Sequence, residues 1–348
     1  MVRVGIVGVG FMGWIHYLSY KKTKGVKVAG VCTRDAKRRE GDWRGIQGNF
    51  GPPGEQVDLR GTAKYSQLDD LLADDGIDLV DLCLPPNLHT EAAIAALQAG
   101  KHVFVEKPMA LTAGDCDRIM RAAEKAGKQV LVGQVLPLMH EYAFARKAIA
   151  GGKYGKLLGG HFERVISDPL WIKDFYDAEK VGGPLVDLHV HDAHLIRLLF
   201  GMPTAVTSQG RMRGEVVEYC VSQFQFADPA LVVSSASGVI NQQGRSFMHC
   251  FEIHLEKATL YFKLAVLAGG RLEITPLTLL DSQGRAEQPT LPAGDPMLSA
   301  FDAEIKEVVR SISSGRESEL LGGGLARDAI VMCHKQTQAV RKNKTVRI

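Results

Sequence analysis

The sequence lacks most of the features that would set a chain apart from ordinary globular proteins. No apolar run approaches the roughly 18 residues of a membrane-spanning helix, so a span is excluded. None of its six cysteines (Cys32, Cys83, Cys116, Cys220, Cys250 and Cys333) forms a CxxC pair, which removes the common zinc and dithiol redox motifs. Thiols scattered in this way suit a reducing compartment, where they stay free and pack as small hydrophobes. Neither charge dominates. The 42 Lys and Arg stand against 39 Asp and Glu, too even for the basic footprint of a nucleic-acid binder. A secretory leader is not expected, because Arg3 runs straight into the strand-like Val4-Gly5-Ile6-Val7-Gly8. The expected location is the cytoplasm. Internal repeats are missing as well.

What is present is a two-part pattern. A length of 348 residues fits about two domains and needs no disulfide or metal staple. The first third alternates short apolar runs with helical stretches. Strands are expected at 2–7, 26–32, 77–84, 102–106 and 129–133. Helices are expected at 12–22, 65–72 (with Ser66 near its N-cap), 88–99 and 112–126. That alternation implies a parallel sheet of βαβ units. After about residue 135 come helical candidates at 138–150 and 184–200. Strand-like segments follow at 204–211, 216–226, 231–240, 247–255, 258–264 and 271–275, then helical patterns at 297–314 and 322–341. Consecutive strands with tight turns suggest a mostly antiparallel sheet. The expected class is α/β, with a dinucleotide-type domain over residues 1–135 and an α+β domain over 136–348. Residues 38–63 fit neither pattern. Six glycines and two prolines make them a long irregular loop, either a packed insertion or a lid.

Gly8-Val9-Gly10-Phe11-Met12-Gly13 follows the first strand and opens a helix, the context that a dinucleotide fingerprint requires. Gly8 permits the tight turn, Gly10 lets backbone approach a pyrophosphate, and Gly13 lets helix and strand close up. Phe11 and Met12 lie at the helix N-terminus, whose N–H groups favour phosphate. The second strand ends at Cys32-Thr33-Arg34-Asp35. A carboxylate at position 33 would repel a 2′-phosphate, and threonine does not. Arg34 suits that phosphate and an adenine face. The cofactor is therefore NAD or NADP, leaning to NADP, with Asp35 able to serve NAD from two residues further on.

Two further patches carry chemistry. Pro85, Asn87 and His89 follow one strand, and Glu106-Lys107-Pro108 follows the next, both at strand ends where ligands of open α/β sheets bind. The second patch is Gly182-Gly183-Pro184-Leu185-Val186-Asp187-Leu188-His189-Val190-His191-Asp192-Ala193-His194. On a helix, Asp187, His191 and His194 would share a face, offering a carboxylate and an imidazole for proton transfer.

These marks, taken in this order with His16 after the glycine motif, resemble the Gfo/Idh/MocA oxidoreductases, the family of glucose–fructose oxidoreductase and inositol dehydrogenase. The likeness covers nearly the whole chain. It implies a Rossmann domain, a C-terminal domain with a large open-faced sheet, and NAD(P). It also implies hydride exchange with a secondary hydroxyl or ketone of a sugar, sugar acid or cyclitol, and a homodimer or homotetramer built through that sheet. By the same resemblance Lys107 is the catalytic lysine, Asp187 its substrate-facing partner and His191 the general acid/base. The alternatives are an NAD-dependent glycosidase working by transient oxidation and elimination, and a nucleotide sensor that has lost catalysis.

The chain departs from the family pattern at His194, where Asp is frequent, and at His189, where a small residue is frequent. A zinc set of Asp187, His191 and His194 is disfavoured because His189 points elsewhere on a helix, and no metal is expected. Cofactor contacts are expected from Gly8, Gly10, Phe11, Met12, Gly13, Thr33, Arg34, Pro85, Asn87, His89, Glu106 and Lys107. Substrate contacts are expected from Lys107, Gln134, Trp171, Asp187, His191 and His194. His16 lies either near the nicotinamide or in helix packing. Lys173, Tyr176, His140 and Glu141 are secondary pocket candidates.

Overall fold

Six strands, all but the short β3 largely apolar, form the first sheet: β1 (Val2–Val7), β2 (Val26–Cys32), β3 (Ala63–Tyr65), β4 (Leu79–Leu82), β5 (His102–Glu106) and β6 (Val130–Gly133). Their order is β3-β2-β1-β4-β5-β6, and every pairing is parallel. β4 and β6 are buried along their whole length, which is why such strands read as continuous apolar runs. The strand order reverses between β1 and β4, and the crevice beyond the C-terminal ends at that point is where ligands of such sheets bind. The computed structural model describes residues 1–348 and divides into two compact units, Met1–Met139 with Ala293–Arg327, and His140–Pro292 with Asp328–Ile348.

In the first unit, α1 (Phe11–Lys22) follows β1, α2 (Ala36–Arg39) follows β2, and α3 (Leu68–Leu72) follows β3. The helix expected to open at Ser66 begins later, because residues 63–65 pair with β2 as β3 and Gln67 takes the N-cap position. α4 (His89–Gln98) and α5 (Ala113–Ala126) complete the alternation. Thr112 caps α5 by accepting from the Asp115 amide, and Gly127 closes it at φ 61°. The helix α8 (Pro296–Ser314), expected in the second domain, belongs to this unit. Its Phe301, Ile305 and Val308 enter one core with Trp14 and Ile15 of α1.

The irregular segment after α2 is a packed insertion. Trp43 is fully buried there, with Ile46, Val57 and Leu59 close behind. Trp43 Nε1 donates to the Arg38 carbonyl at 2.7 Å, and Trp14 Nε1 donates to the Pro52 carbonyl at 3.0 Å. Truncating a fully buried tryptophan costs about 3–5 kcal/mol, enough to bind a segment poor in regular hydrogen bonds.

The second unit is built on a nine-stranded sheet in the order β14-β13-β12-β11-β7-β10-β9-β8-β15. The strands are β7 (Leu157–Ser167), β8 (Ala205–Arg213), β9 (Val216–Gln225), β10 (Val232–Ile240), β11 (Arg245–Leu255), β12 (Ala258–Leu267), β13 (Leu272–Asp281), β14 (Ala286–Glu287) and β15 (Val346–Arg347). Only β7 and β10 pair in parallel. β7 has no counterpart among the expected strands, because its Gly159-Gly160 interrupts the apolar alternation. Tyr142 on α6 (His140–Ala150) packs tilted against Phe251 and edge-on to Phe262 of the sheet, while Val221, Glu252, His254 and Lys263 are exposed. The helix expected at 184–200 is a π-turn (Leu185–His189) running into α7 (Val190–Phe200). From Asp328 onward, α9 (Gly323–Lys342) also belongs to this unit.

Candidate active site

The glycine loop between β1 and α1 is shaped by two kinds of glycine. Gly8 has φ 95°, and a methyl there would overlap the Cys83 carbonyl. A methyl on Gly13 would overlap the Gly8 carbonyl. These two are demanded by the fold. Gly10 is different, because a Cβ there meets nothing within 4 Å. Its bareness leaves open backbone at the mouth of α1, which carries no side-chain cap and no acidic residue in its first turn. An open helix N-terminus beside bare backbone fits a pyrophosphate. Phe11 and Met12 sit at that mouth, half-buried. The insertion closes on Phe11, with Phe50 edge-on to its ring at 4.8 Å.

At the end of β2, Thr33 is half-buried and its amide donates to the Tyr65 carbonyl at 3.0 Å. Arg34 is exposed. The basic residues beyond it are not simply a solvated face. Arg38 Nη1 donates to the Val9 carbonyl in the glycine loop at 2.8 Å, and Arg39 Nη1 donates to the Thr33 carbonyl at 2.9 Å. Asp35 caps α2 through the Lys37 and Arg38 amides, so its carboxylate is already engaged.

The ends of β4 and β5 are tied together. Pro85 and Asn87 are exposed in the turn after β4, as a ligand contact requires. His89, expected to touch ligand, is fully buried. Its ring lies 2.7 Å from the Pro108 carbonyl and 2.8 Å from the Leu84 carbonyl, clasping the two strand ends. Burial lowers its pKa, against the two carbonyls. Glu106 is buried too, and its Oε2 accepts the Lys107 amide at 3.0 Å. It shapes the main chain and offers little surface to a cofactor. Lys107 itself is half-buried, and the Lys107–Pro108 peptide is cis. Gln134, expected at the substrate, is fully buried with neither amide atom hydrogen-bonded.

In the second unit, Asp187 lies within the π-turn and His191 in the first turn of α7, both half-buried. The wider π-turn alters the spacing on which the shared helical face was expected, and such turns are frequent at functional sites. His194 is fully buried and so does not present itself to a substrate as expected. Trp171 is 64% exposed, while Tyr176 donates to Asp168 Oδ1 at 2.9 Å beneath the Arg213 guanidinium. Lys173 is exposed, and His140 and Glu141 open α6 half-buried.

Sequence reasoning missed what lies behind these residues. Arg164 Nε donates to Asp192 Oδ2 at 2.7 Å in a buried ion pair next to His191 in sequence. His189 accepts from Gln336 Nε2 at 3.0 Å, and burial holds its pKa down to about 4. His16 is fully buried between two carboxylates and has no open surface toward a nicotinamide. The available signal was the polar Asp81 inside the apolar run of β4.

Residues 2–134 match the family model described as "Oxidoreductase family, NAD-binding Rossmann fold", and residues 142–261 match the Gfo/Idh/MocA C-terminal domain. A myo-inositol 2-dehydrogenase of Thermotoga maritima is 24% identical over 100% of this chain and 98% of its own. A 2,7-anhydro-N-acetylneuraminate hydratase of Mediterraneibacter gnavus is 32% identical over 65% of this chain and 59% of its own. Against an uncharacterized oxidoreductase of Streptococcus pneumoniae, 30% identical, the chain spans 53% of the relative's length. A solved levoglucosan dehydrogenase, in complex with NADH and levoglucosan, superposes with a TM-score of 0.78 at 19% identity, covering 100% of this chain and 99% of that one. No helix here is long and apolar enough to cross a membrane. With both of its domains matched by the family's models, the chain belongs to the Gfo/Idh/MocA oxidoreductases.

Proposed function

We propose that this protein is an NAD(P)-dependent dehydrogenase or reductase acting on a secondary hydroxyl or ketone of a sugar, sugar acid or cyclitol. The observation that carries the reading is the placement of Lys107. It follows β5 directly, one strand beyond the switch point, in the same unit as the glycine loop. A bound nicotinamide supplies the hydride acceptor or donor. Lys107 steadies the developing alkoxide through its ammonium group. His191 takes the hydroxyl proton in oxidation and returns it in reduction. Asp187 orients the hydroxyl or the imidazole. NADP is the preferred cofactor in this reading. Thr33 stands where a carboxylate would repel a 2′-phosphate, Asp35 is engaged as a cap, and Arg34 is exposed beside it. Exposed Val221, Val232, Leu272 and Ile274 on the second sheet support assembly into homo-oligomers.

The test is fluorescence titration with NADPH and NADH, then a polyol panel with the tighter form. Lys107→Ala and His191→Ala should each lose about 10²–10⁴-fold in turnover, and Thr33→Asp should move preference toward NADH. Turnover retained by both alanine variants defeats the assignment. The likeness to a hydratase favours one second reading, transient oxidation with the hydride returned in each cycle. Substrate consumed without accumulation of reduced cofactor would select it.

A further inference from the structure

Behind Lys107 lies a polar cluster that the reaction scheme leaves unused. His16 on α1 is fully buried. Its Nδ1 lies 3.0 Å from Asp81 Oδ2 and 3.2 Å from Oδ1, and its Nε2 lies 3.1 Å from Glu106 Oε1. The ring stacks on Phe104 at 5.2 Å. Phe104 is the register partner of Asp81 across β4 and β5, so one imidazole bridges two neighbouring strands from the helix above. The remaining oxygen of Glu106 accepts the Lys107 amide at 3.0 Å. Gly133, opposite Glu106 on β6, leaves the room this carboxylate occupies, since a Cβ there would sit 3.3 Å from its Oε1.

We propose that His16 is a positioning residue for Lys107, holding Glu106 so that its carboxylate fixes the Lys107 main chain. The proposal rests on the reading of Lys107 as catalytic. Nδ1 hydrogen-bonds Asp81 while Nε2 faces Glu106 Oε1 at ion-pair distance, and of the forms of the ring only the imidazolium carries the positive charge that suits a carboxylate on each side. Burial, the largest single influence, disfavours the charge, but Asp81 and Cys83 together outweigh it, and the His16 pKa is raised well above 6.5. Other titratable groups lie around the ring. Glu304 on α8 is fully buried with neither oxygen hydrogen-bonded, and burial, with Glu106 next, raises its pKa well above 4.5. Burial raises Cys83, whose Sγ lies 3.3 Å from His16 Nδ1, and Tyr20 in the same direction. The outcome is one imidazole held between two carboxylates, with Lys107 at the end of the chain. His89 holds the Pro108 carbonyl from the other side, so the dipeptide bearing the lysine is gripped at both ends.

The experiment compares the full-length protein with His16→Asn, Glu106→Gln, the double variant and Lys107→Ala. Asparagine keeps a donor toward Asp81 but falls short of Glu106. Amide exchange at Lys107, measured without ligand, should speed up about tenfold in His16→Asn, the scale of one lost hydrogen bond, while the rest of β5 stays protected. Turnover of the panel substrate should fall about tenfold to a hundredfold through kcat, with the NADPH dissociation constant within threefold of wild type. The double variant should be no worse than the worse single, because the two residues act as one unit. Unchanged exchange at Lys107, or additive losses in the double variant, overturns the proposal. So does a stoichiometric transition metal bound at His16, Asp81 and Cys83, whose ligand atoms lie within 4.8 Å of one another. If His16→Asn fails to fold, the near-isosteric Glu106→Gln decides, and wild-type kcat there is equally fatal. Lys107→Ala separates the two readings. Full activity in that variant fails the proposed function, whereas its loss beside an intact His16→Asn fails this inference alone.

Discussion

Acid should loosen the segment that carries Asp187 and His191, and His189 sets the size of the effect. Its ring is fully buried and neutral. Burial pushes its pKa from 6.5 to about 4, the Arg164 guanidinium adds to that, and Asp192 and Gln336 oppose it. In the unfolded chain the ring titrates near its ordinary value. Between the two values the unfolded chain binds a proton that the native one does not. Stability therefore rises with pH across this window and is lost as pH falls through it. At roughly 1.4 kcal/mol per unit, the gap corresponds to about 3 kcal/mol. The perturbation is His189→Gln, which keeps a hydrogen-bonding partner for Gln336 and removes the titrating group. Urea unfolding is followed at several pH values from neutral to about pH 4. The variant should be weaker than wild type at neutral pH but decline less toward acid, so that the difference shrinks by about 3 kcal/mol. Parallel pH profiles would refute the neutral buried ring and the sign argument with it.

Two other substitutions separate fold from function. Gly10→Ala should leave the melting temperature within a degree or two, because its backbone (φ −104°, ψ −158°) suits alanine and nothing crowds the new methyl. It should still weaken NADPH binding at least tenfold, and unchanged affinity would remove Gly10 from the phosphate site. Gly13→Ala should unfold the protein at lower temperature, since its methyl strikes the Gly8 carbonyl. Asp192→Asn should cost about 3–5 kcal/mol in urea unfolding by stranding the buried Arg164. Pairing Arg164→Met with Asp192→Leu should recover much of that loss, and a double variant worse than the single would count against the explanation.

Five strands of the parallel sheet could be read from the sequence because each is an apolar run closed by turn residues, whereas β3, only Ala63-Lys64-Tyr65, carries no such run and is defined by its pairing with β2. The glycine loop was legible for a similar reason, since its chemistry is local. β7 was not, because paired glycines hide its alternation and its partners β10 and β11 lie far along the chain. The Asp187 segment was half legible. Its residue types announced proton transfer, but a π-turn in place of an α-helix leaves no trace in spacing. His89 and Gln134 suggest ligand contacts because they are polar and follow strand ends, and His194 because helical spacing would put it on the face of Asp187 and His191. Their complete burial is a property of the folded chain that residue type does not announce. Arg164 and Asp192 carry the same lesson in reverse, as nothing in either neighbourhood announces a partner 28 residues away.

The return of residues 293–327 to the first unit has a consequence for biosynthesis. The ribosome releases β1 to β6 early, yet the surface of α1 that receives Phe301, Ile305 and Val308 must wait until some 150 intervening residues have emerged (from 139 to 293). The nucleotide-binding half therefore matures late, and its long-range contacts make its folding slow in the sense of contact order. A nascent chain stalled before residue 293 would present an apolar helix face to chaperones.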